Sequence, residues 1–211
     1  MGRTASPGAG VSRAATLGTA PTSGGRATRR ALSRAIVGVL LCTGLALLAQ
    51  GLWIPAKAQL AQVLLERAFA QSLASGQPVK PWPWADTAPV ARISAPRLGV
   101  SDIVLSGSSG EAMAFGPTEV VAHGPVKVLA AHRDTHFAFI RDLRTGDEIV
   151  LQAIDGTLAR YRVVAFQTVR WDRFAYPAAP RRELLALATC YPFGATEHGP
   201  LRRVAWAEKI G

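Results

Sequence analysis

Cysteine is scarce in this chain, with Cys42 and Cys190 as its two representatives among 211 residues. Two thiols build no disulfide framework, and Cys42 lies in an apolar run where a bridge to Cys190 would need a membrane-buried partner. Cys42 reads as a small apolar residue; Cys190 is a lone thiol, either packed or reactive. Metal-ligand spacing is missing too. There is no CxxC and no HExxH, and the four histidines are scattered, so nothing calls for a metal or another cofactor. Acidic residues are absent from positions 1–34, which hold Arg3, Arg13, Arg26, Arg29, Arg30 and Arg34. More than half of the formal charge of +10 therefore sits in this tail. Such a distribution points to membrane topology rather than to a nucleic-acid partner. Internal repeats are lacking.

What is present falls into four stretches. Residues 1–34 form a basic tail whose first thirty positions are rich in Gly, Ala, Ser, Thr and Arg, without periodicity. Disorder is expected there, because so little apolar surface cannot offset chain entropy. Residues 35–54 carry no charge. As a helix rising about 1.5 Å per residue, they would cross a hydrocarbon core of about 30 Å. Trp53 suits the interface, and the arginines ahead of the run place the N-terminus in the cytoplasm and everything after it outside. The competing reading is a cleaved signal peptide, with Ala56-Lys57-Ala58 as a small-x-small site. The apolar run exceeds an h-region of about 7–15 residues, so the span is read as retained.

Residues 55–87 contain a helical pattern over 56–73 (Leu60, Leu64 and Ala68, with Val63 and Leu65 beside them), continuing from or breaking at Pro55. A stiff linker follows, from Ser75 through Pro78, Pro81 and Pro83 to Trp84. Its tryptophans suit either the membrane surface or the next domain. From 88 to 211 the pattern changes to short strands, expected at 90–94, 98–105, 117–121, 126–131, 147–154, 158–170, 183–190 and 203–209. Asp155-Gly156-Thr157 marks a tight hairpin, and 109–115 and 136–143 look like single helical turns. Eight strands in such a length suit a closed barrel or a sandwich.

The chemistry gathers at strand ends. The apolar run Leu184–Ala188 rises through Thr189 to Cys190 and stops against Pro192 and Gly194. A strand over 126–131 ends at His132, and a third opens with Arg202-Arg203. A thiol, an imidazole and a guanidinium are the parts of a cysteine nucleophile with its base and oxyanion support. Each also has a plain alternative: a packed cysteine, a surface histidine (His123, His136 and His198 compete), a solvated basic strand start. Parity puts Arg202 with Val204 and Trp206, and Arg203 with Ala205 and Ala207; it does not choose between them.

Taken together and in this order, Ala130-Ala131-His132-Arg133-Asp134-Thr135-His136-Phe137, Leu187-Ala188-Thr189-Cys190 and Arg202-Arg203-Val204 resemble the His, Thr-Leu-x-Thr-Cys and Arg signatures of sortases. The flanking text, including Lys80-Pro81-Trp82-Pro83-Trp84-Ala85-Asp86, Pro96-Arg97-Leu98-Gly99-Val100 and Arg141-Asp142-Leu143-Arg144-Thr145-Gly146-Asp147, is similar to the single-sortase group of Gram-negative proteobacteria. The resemblance implies an all-β, eight-stranded barrel with short helices behind an N-terminal membrane helix. It implies a cysteine transpeptidase anchored in the inner membrane with its catalytic domain on the outer side. Cys190 is then the nucleophile, His132 the general acid/base and Arg202 the oxyanion or positioning group, with Arg203 as fallback. The implied partners are a substrate protein with a C-terminal Leu-Pro-x-Thr-Gly-like sorting signal, an amine acceptor and the membrane. Three departures stand out: Ala131 replaces the family's Gly, Ala186 its first Thr, and the loop around 123–125 is short. Two rival functions differ in their signature. An L,D-transpeptidase would show a Ser-x-Gly-Cys-x-Arg-like run, which Ala188-Thr189-Cys190-Tyr191-Pro192 lacks; a non-enzymatic tethered β-domain would keep Cys190 packed.

Overall fold

A computed structural model describes Gly2 and residues 24–121, 124–197 and 199–210, and divides the chain into two units, residues 1–52 and 53–211. His123 and His198 lie outside the described residues, as does most of the stretch expected to be disordered.

Helix α1, Gly24–Ser75, contributes to both units and contains Pro55 within it. It begins inside the tail expected to be disordered, at Gly24 rather than after residue 34. Ala, Arg and Leu dominate residues 27–34 and are strong helix formers, and extending an existing helix is far easier than starting one. In the first unit the side chains of the apolar run, among them Ile36, Leu40, Leu45 and Leu48, are exposed. Among the described residues one helix is long and apolar enough to cross a membrane, and this is it. In the second unit, Leu65 and Phe69 of α1 are fully buried against Ile103, Leu105 and Ala112. The helix ends at Ser75, where Gly76 takes a positive φ of 67° and donates its N–H to the Ser72 carbonyl. In the linker beyond, Trp82 meets Phe115 edge-on at 5.2 Å, whereas Trp84 is 83% exposed. Of the two roles the sequence left open, Trp82 takes the contact with the domain.

Eight strands close into a barrel in the order β1-β2-β3-β4-β7-β8-β6-β5. They are β1 Pro89–Ala95, β2 Val100–Leu105, β3 Thr118–Val121, β4 Val126–Ala130, β5 Glu148–Ala153, β6 Leu158–Arg170, β7 Leu184–Tyr191 and β8 Leu201–Lys209. Each corresponds to an expected strand. The second starts later than expected because Pro96–Leu98 form a 3-10 turn, which Gly99 closes at φ 65° with its N–H on the Pro96 carbonyl. Proline is pre-shaped for the first position of such a turn, and glycine accepts the left-handed exit. The expected hairpin joins β5 to β6, with the Thr157 N–H on the Asp155 carboxylate at 2.9 Å. Short helix α2, Gly110–Met113, is capped by the Ser109 hydroxyl, which accepts from the Ala112 N–H. Gly116 follows, where a Cβ would come within 2.6 Å of the Ile103 carbonyl oxygen.

Alternation sorts the side chains onto two faces. Inward go Ile93, Val104, Leu129, Ile149, Leu151, Tyr161, Leu185, Leu187, Ala205 and Ala207, with Phe137, Phe139 and Ile140 from the turn after β4. On β4, β7 and β8 the opposite parity is buried as well: Val126, Val128, Ala186 and Val204 pack with Phe174 and Trp206 on the outer wall. This explains why β7 reads as a continuous apolar run rather than an alternating one. A register shift between Val163 and Ala165 of β6 moves Val169 onto that outer cluster.

Candidate active site

Register brings the three predicted residues together. β4 and β7 run parallel with Ala130 opposite Ala188, so His132 and Cys190 each lie two residues further along. β7 and β8 run antiparallel with Cys190 directly opposite Arg202. All three follow the outer parity of Val128, Ala188 and Val204, and they line one groove of about 300 Å³ on the barrel wall. Its apolar floor is Val128, Ala130, Ala188 and Val204; Met113 and Val120 border it, and Trp171 and Phe174 come from the loop after β6. Cys190 is half-buried and His132 exposed. A thiol here is neither sealed in the core nor loose on the surface, the setting in which a cysteine can react.

The ends of β4 and β7 are held together beyond the ladder. The Ala131 N–H donates to the Ala188 carbonyl at 3.3 Å, and the Thr189 hydroxyl, 2% exposed, donates to the Ala131 carbonyl at 2.8 Å. Two hydrogen bonds therefore join the residue before His132 to the two residues before Cys190. In sequence, Thr189 stood only as part of the Thr-Cys signature; its bond across to β4 has no local signal.

The two arginines separate. Arg202 lines the groove, with Nη1 donating to the Gly199 and Leu201 carbonyls at 3.0 and 2.9 Å. A guanidinium has five N–H donors, so this anchoring is compatible with donating to a substrate oxygen. Arg203 follows the parity of Ala205; it stacks 4.9 Å from the Phe166 ring centre and donates to the Thr168 hydroxyl at 3.1 Å. His136 also leaves the groove, its Nδ1 lying 2.9 Å from the Asp102 carboxylate on β2. The aromatic border was not read from sequence: Phe174 stacks on Trp206 at 5.9 Å, and aromatics in the stretch between β6 and β7 give no local sign of what they cover.

Away from the groove, the motif-like text at 96–100 and 141–147 has a structural purpose. Arg97 grips Asp147 through two N–H groups, at 2.5 and 2.6 Å, and donates to the Asp142 carbonyl at 2.8 Å. The Arg97 guanidinium, with the Arg144 N–H, holds the Asp147 carboxyl below its ordinary range.

A closed barrel with a thiol, an imidazole and a guanidinium converging on its outer wall defines the class of protein. Residues 93–210, more than half of the chain, match the Sortase domain family; the chain belongs to the sortase family. Solved structures agree on the fold. Sortase A from Corynebacterium diphtheriae superposes with a TM-score of 0.53 at 20% identity, over 61% of this chain and 63% of that one. Sortase C-1 from Actinomyces oris gives 0.51 at 25% identity, over 58% and 73%. Sortase C from Clostridium perfringens, bearing the C-terminal cell wall sorting motif, gives 0.52 at 16% identity, over 74% and 90%. The match to C. diphtheriae sortase A therefore spans less than two thirds of that chain's length. No curated protein matches this chain in sequence.

Proposed function

We propose that this protein is a membrane-anchored cysteine transpeptidase that cleaves a Leu-Pro-x-Thr-Gly-like signal near the C-terminus of a partner protein and transfers the acyl part to an amine. One observation carries the reading: Cys190, His132 and Arg202, distant in sequence, line a single groove with an apolar floor. An extended peptide laid along that floor would present a carbonyl to the Cys190 sulfur. The thiolate attacks the carbonyl carbon, and the oxyanion takes hydrogen bonds from Arg202. As the C–N bond breaks, imidazolium His132 gives its proton to the departing amine, leaving a thioester on Cys190. Neutral His132 then takes a proton from an incoming amine, whose attack on the thioester carbon breaks the C–S bond and returns Cys190 as thiolate beside imidazolium His132. The structure of C. perfringens sortase C with the C-terminal cell wall sorting motif supports a substrate of this type.

The tail and span would place residues 88–211 on the outer side of the inner membrane, with 55–87 as the juxtamembrane helix and linker. The flanking sequence supports a place in the single-sortase group of Gram-negative proteobacteria. Incubating the detergent-solubilised full chain with a panel of Leu-Pro-x-Thr-Gly-like peptides and a primary amine tests the reading. Amine-dependent formation of the transferred product, absent with Cys190→Ala, is expected. No product from any peptide, with a folded protein, would overturn it.

A further inference from the structure

Arg133 follows His132 directly, yet its side chain turns the other way: His132 is exposed, whereas Arg133 is 7% exposed. Nη1 donates to the Pro192 carbonyl at 3.0 Å, and Nη2 donates to the carbonyls of Ala195 and Glu197. Nε lies 3.3 Å from the Asp134 carboxylate, which is itself 64% exposed and compensates the buried charge only in part. A guanidinium is costly to bury, and an apolar side chain of similar volume often serves stability as well or better. What an apolar side chain cannot do is hold three carbonyls at fixed spacing.

Those carbonyls all belong to the loop between β7 and β8, which begins immediately after the strand that carries Cys190. The same loop supplies the Gly199 carbonyl that anchors Arg202. One planar fork therefore connects the turn of His132 to residues 192–197, the segment leaving Cys190. We infer that Arg133 is a positioning residue. It does not line the groove, and it holds the His132 turn and the 192–197 segment as one body so that His132 and Cys190 keep their relative places. The inference rests on the transpeptidase reading for its activity readout, but its geometry does not depend on the substrate.

The test compares the full chain with Arg133→Ala and Arg133→Lys, measuring kcat and KM separately, thermal unfolding, and recovery by added guanidinium ion. A misplacement of about 1 Å can cost on the order of 100-fold in rate, so Arg133→Ala should lose about 10- to 100-fold in kcat with a smaller change in KM. Free guanidinium should restore part of that loss, because it can reoccupy the carbonyl cage. Lysine keeps the charge without the fork and should fall between. Ile149→Val, a core change on β5, which pairs with β1 and β6 rather than with β4, β7 or β8, supplies a comparison variant of reduced stability and should keep its kcat. Arg133→Ala with kcat within about twofold of wild type, or a loss that guanidinium does not relieve and that Ile149→Val reproduces, would overturn the inference. If Arg133→Ala does not fold, Arg133→Lys decides: lowered kcat at unchanged unfolding temperature supports it, and unchanged kcat overturns it. If the wild type turns over no peptide, the functional reading fails. The positioning inference is then judged by the alkylation rate of Cys190, read by peptide mapping: a several-fold change in Arg133→Ala, reversed by guanidinium, supports it, and an unchanged rate overturns it.

Discussion

The inner and outer faces of β4, β7 and β8 are built from the same small and branched aliphatics, but they end differently. Inward, Leu129, Leu185, Leu187 and Ala205 join a core that runs around the whole barrel. Outward, Ala130, Ala188 and Val204 lead within two residues to His132, Cys190 and Arg202, with the loop aromatics at the border. One parity of three strands supplies the core, and the other lines a groove with the proposed chemistry at its end. The division teaches that a strand buried on both faces need not be doubly structural: the second face can be covered by side chains that a peptide could replace.

Substitutions on opposite faces of β7 should therefore have opposite signatures, and this is the largest effect expected. Leu185→Ala should lower unfolding free energy by about 2–5 kcal/mol, seen in urea titrations, while the folded fraction keeps its turnover. Cys190→Ala should abolish turnover with an unchanged urea midpoint. A Cys190→Ala protein that still turns over peptide, or that unfolds like Leu185→Ala, would break the comparison.

The same contrast should divide the arginine pair on β8. Arg202→Ala is expected to lose on the order of 100-fold in kcat, the scale of one oxyanion donor. Arg203→Ala should lose its contact with Phe166 at about 0.5–1 kcal/mol of stability and leave kcat within a few-fold. Steady-state kinetics on both variants would expose a reversed assignment.

Smaller still is the effect at Thr189, which belongs to the inner parity but serves the outer face through the Ala131 carbonyl. Thr189→Val keeps the shape and removes the donor, so about 1–2 kcal/mol of stability should go, along with part of kcat. If stability falls and kcat does not, the cross-strand bond is structural alone.

Deep on the inner face, Tyr161 should give the smallest and most specific signal. Burial, helped by Glu183, pushes its hydroxyl up to about 12. Below about pH 10 the phenol is neutral folded or unfolded; between about 10 and 12 the unfolded chain ionises first. Since the unfolded state then binds fewer protons, stability falls with rising pH across that window. Tyr161→Phe should flatten this fall in alkaline unfolding curves and change nothing on the outer face.

These two faces were unequally legible in the sequence. Strand positions followed from alternation and turn residues, and Pro96 and Gly99 explain the one strand that starts late. Cys190 and His132 were visible because each ends an apolar run, where a reactive side chain contrasts with what precedes it. Parity alone did not choose between Arg202 and Arg203, and the preference for Arg202 came from the resemblance, since parity has meaning only once the register with β7 is known, and register is a long-range property. Arg133 was hidden for a related reason: its three acceptors lie about sixty residues away and are backbone groups, which no residue pattern marks. The start of α1 at Gly24 was missed because composition was read without the helix it adjoins.

The most direct test of the proposed chemistry is the mass of the full-length protein after a single turnover with a cleavable sorting peptide, without added amine and quenched in acid. An acyl adduct on Cys190, reduced or lost in His132→Ala and discharged by a primary amine, is the predicted result. A peptide cleaved with no adduct on Cys190, or an adduct on another residue, would contradict it.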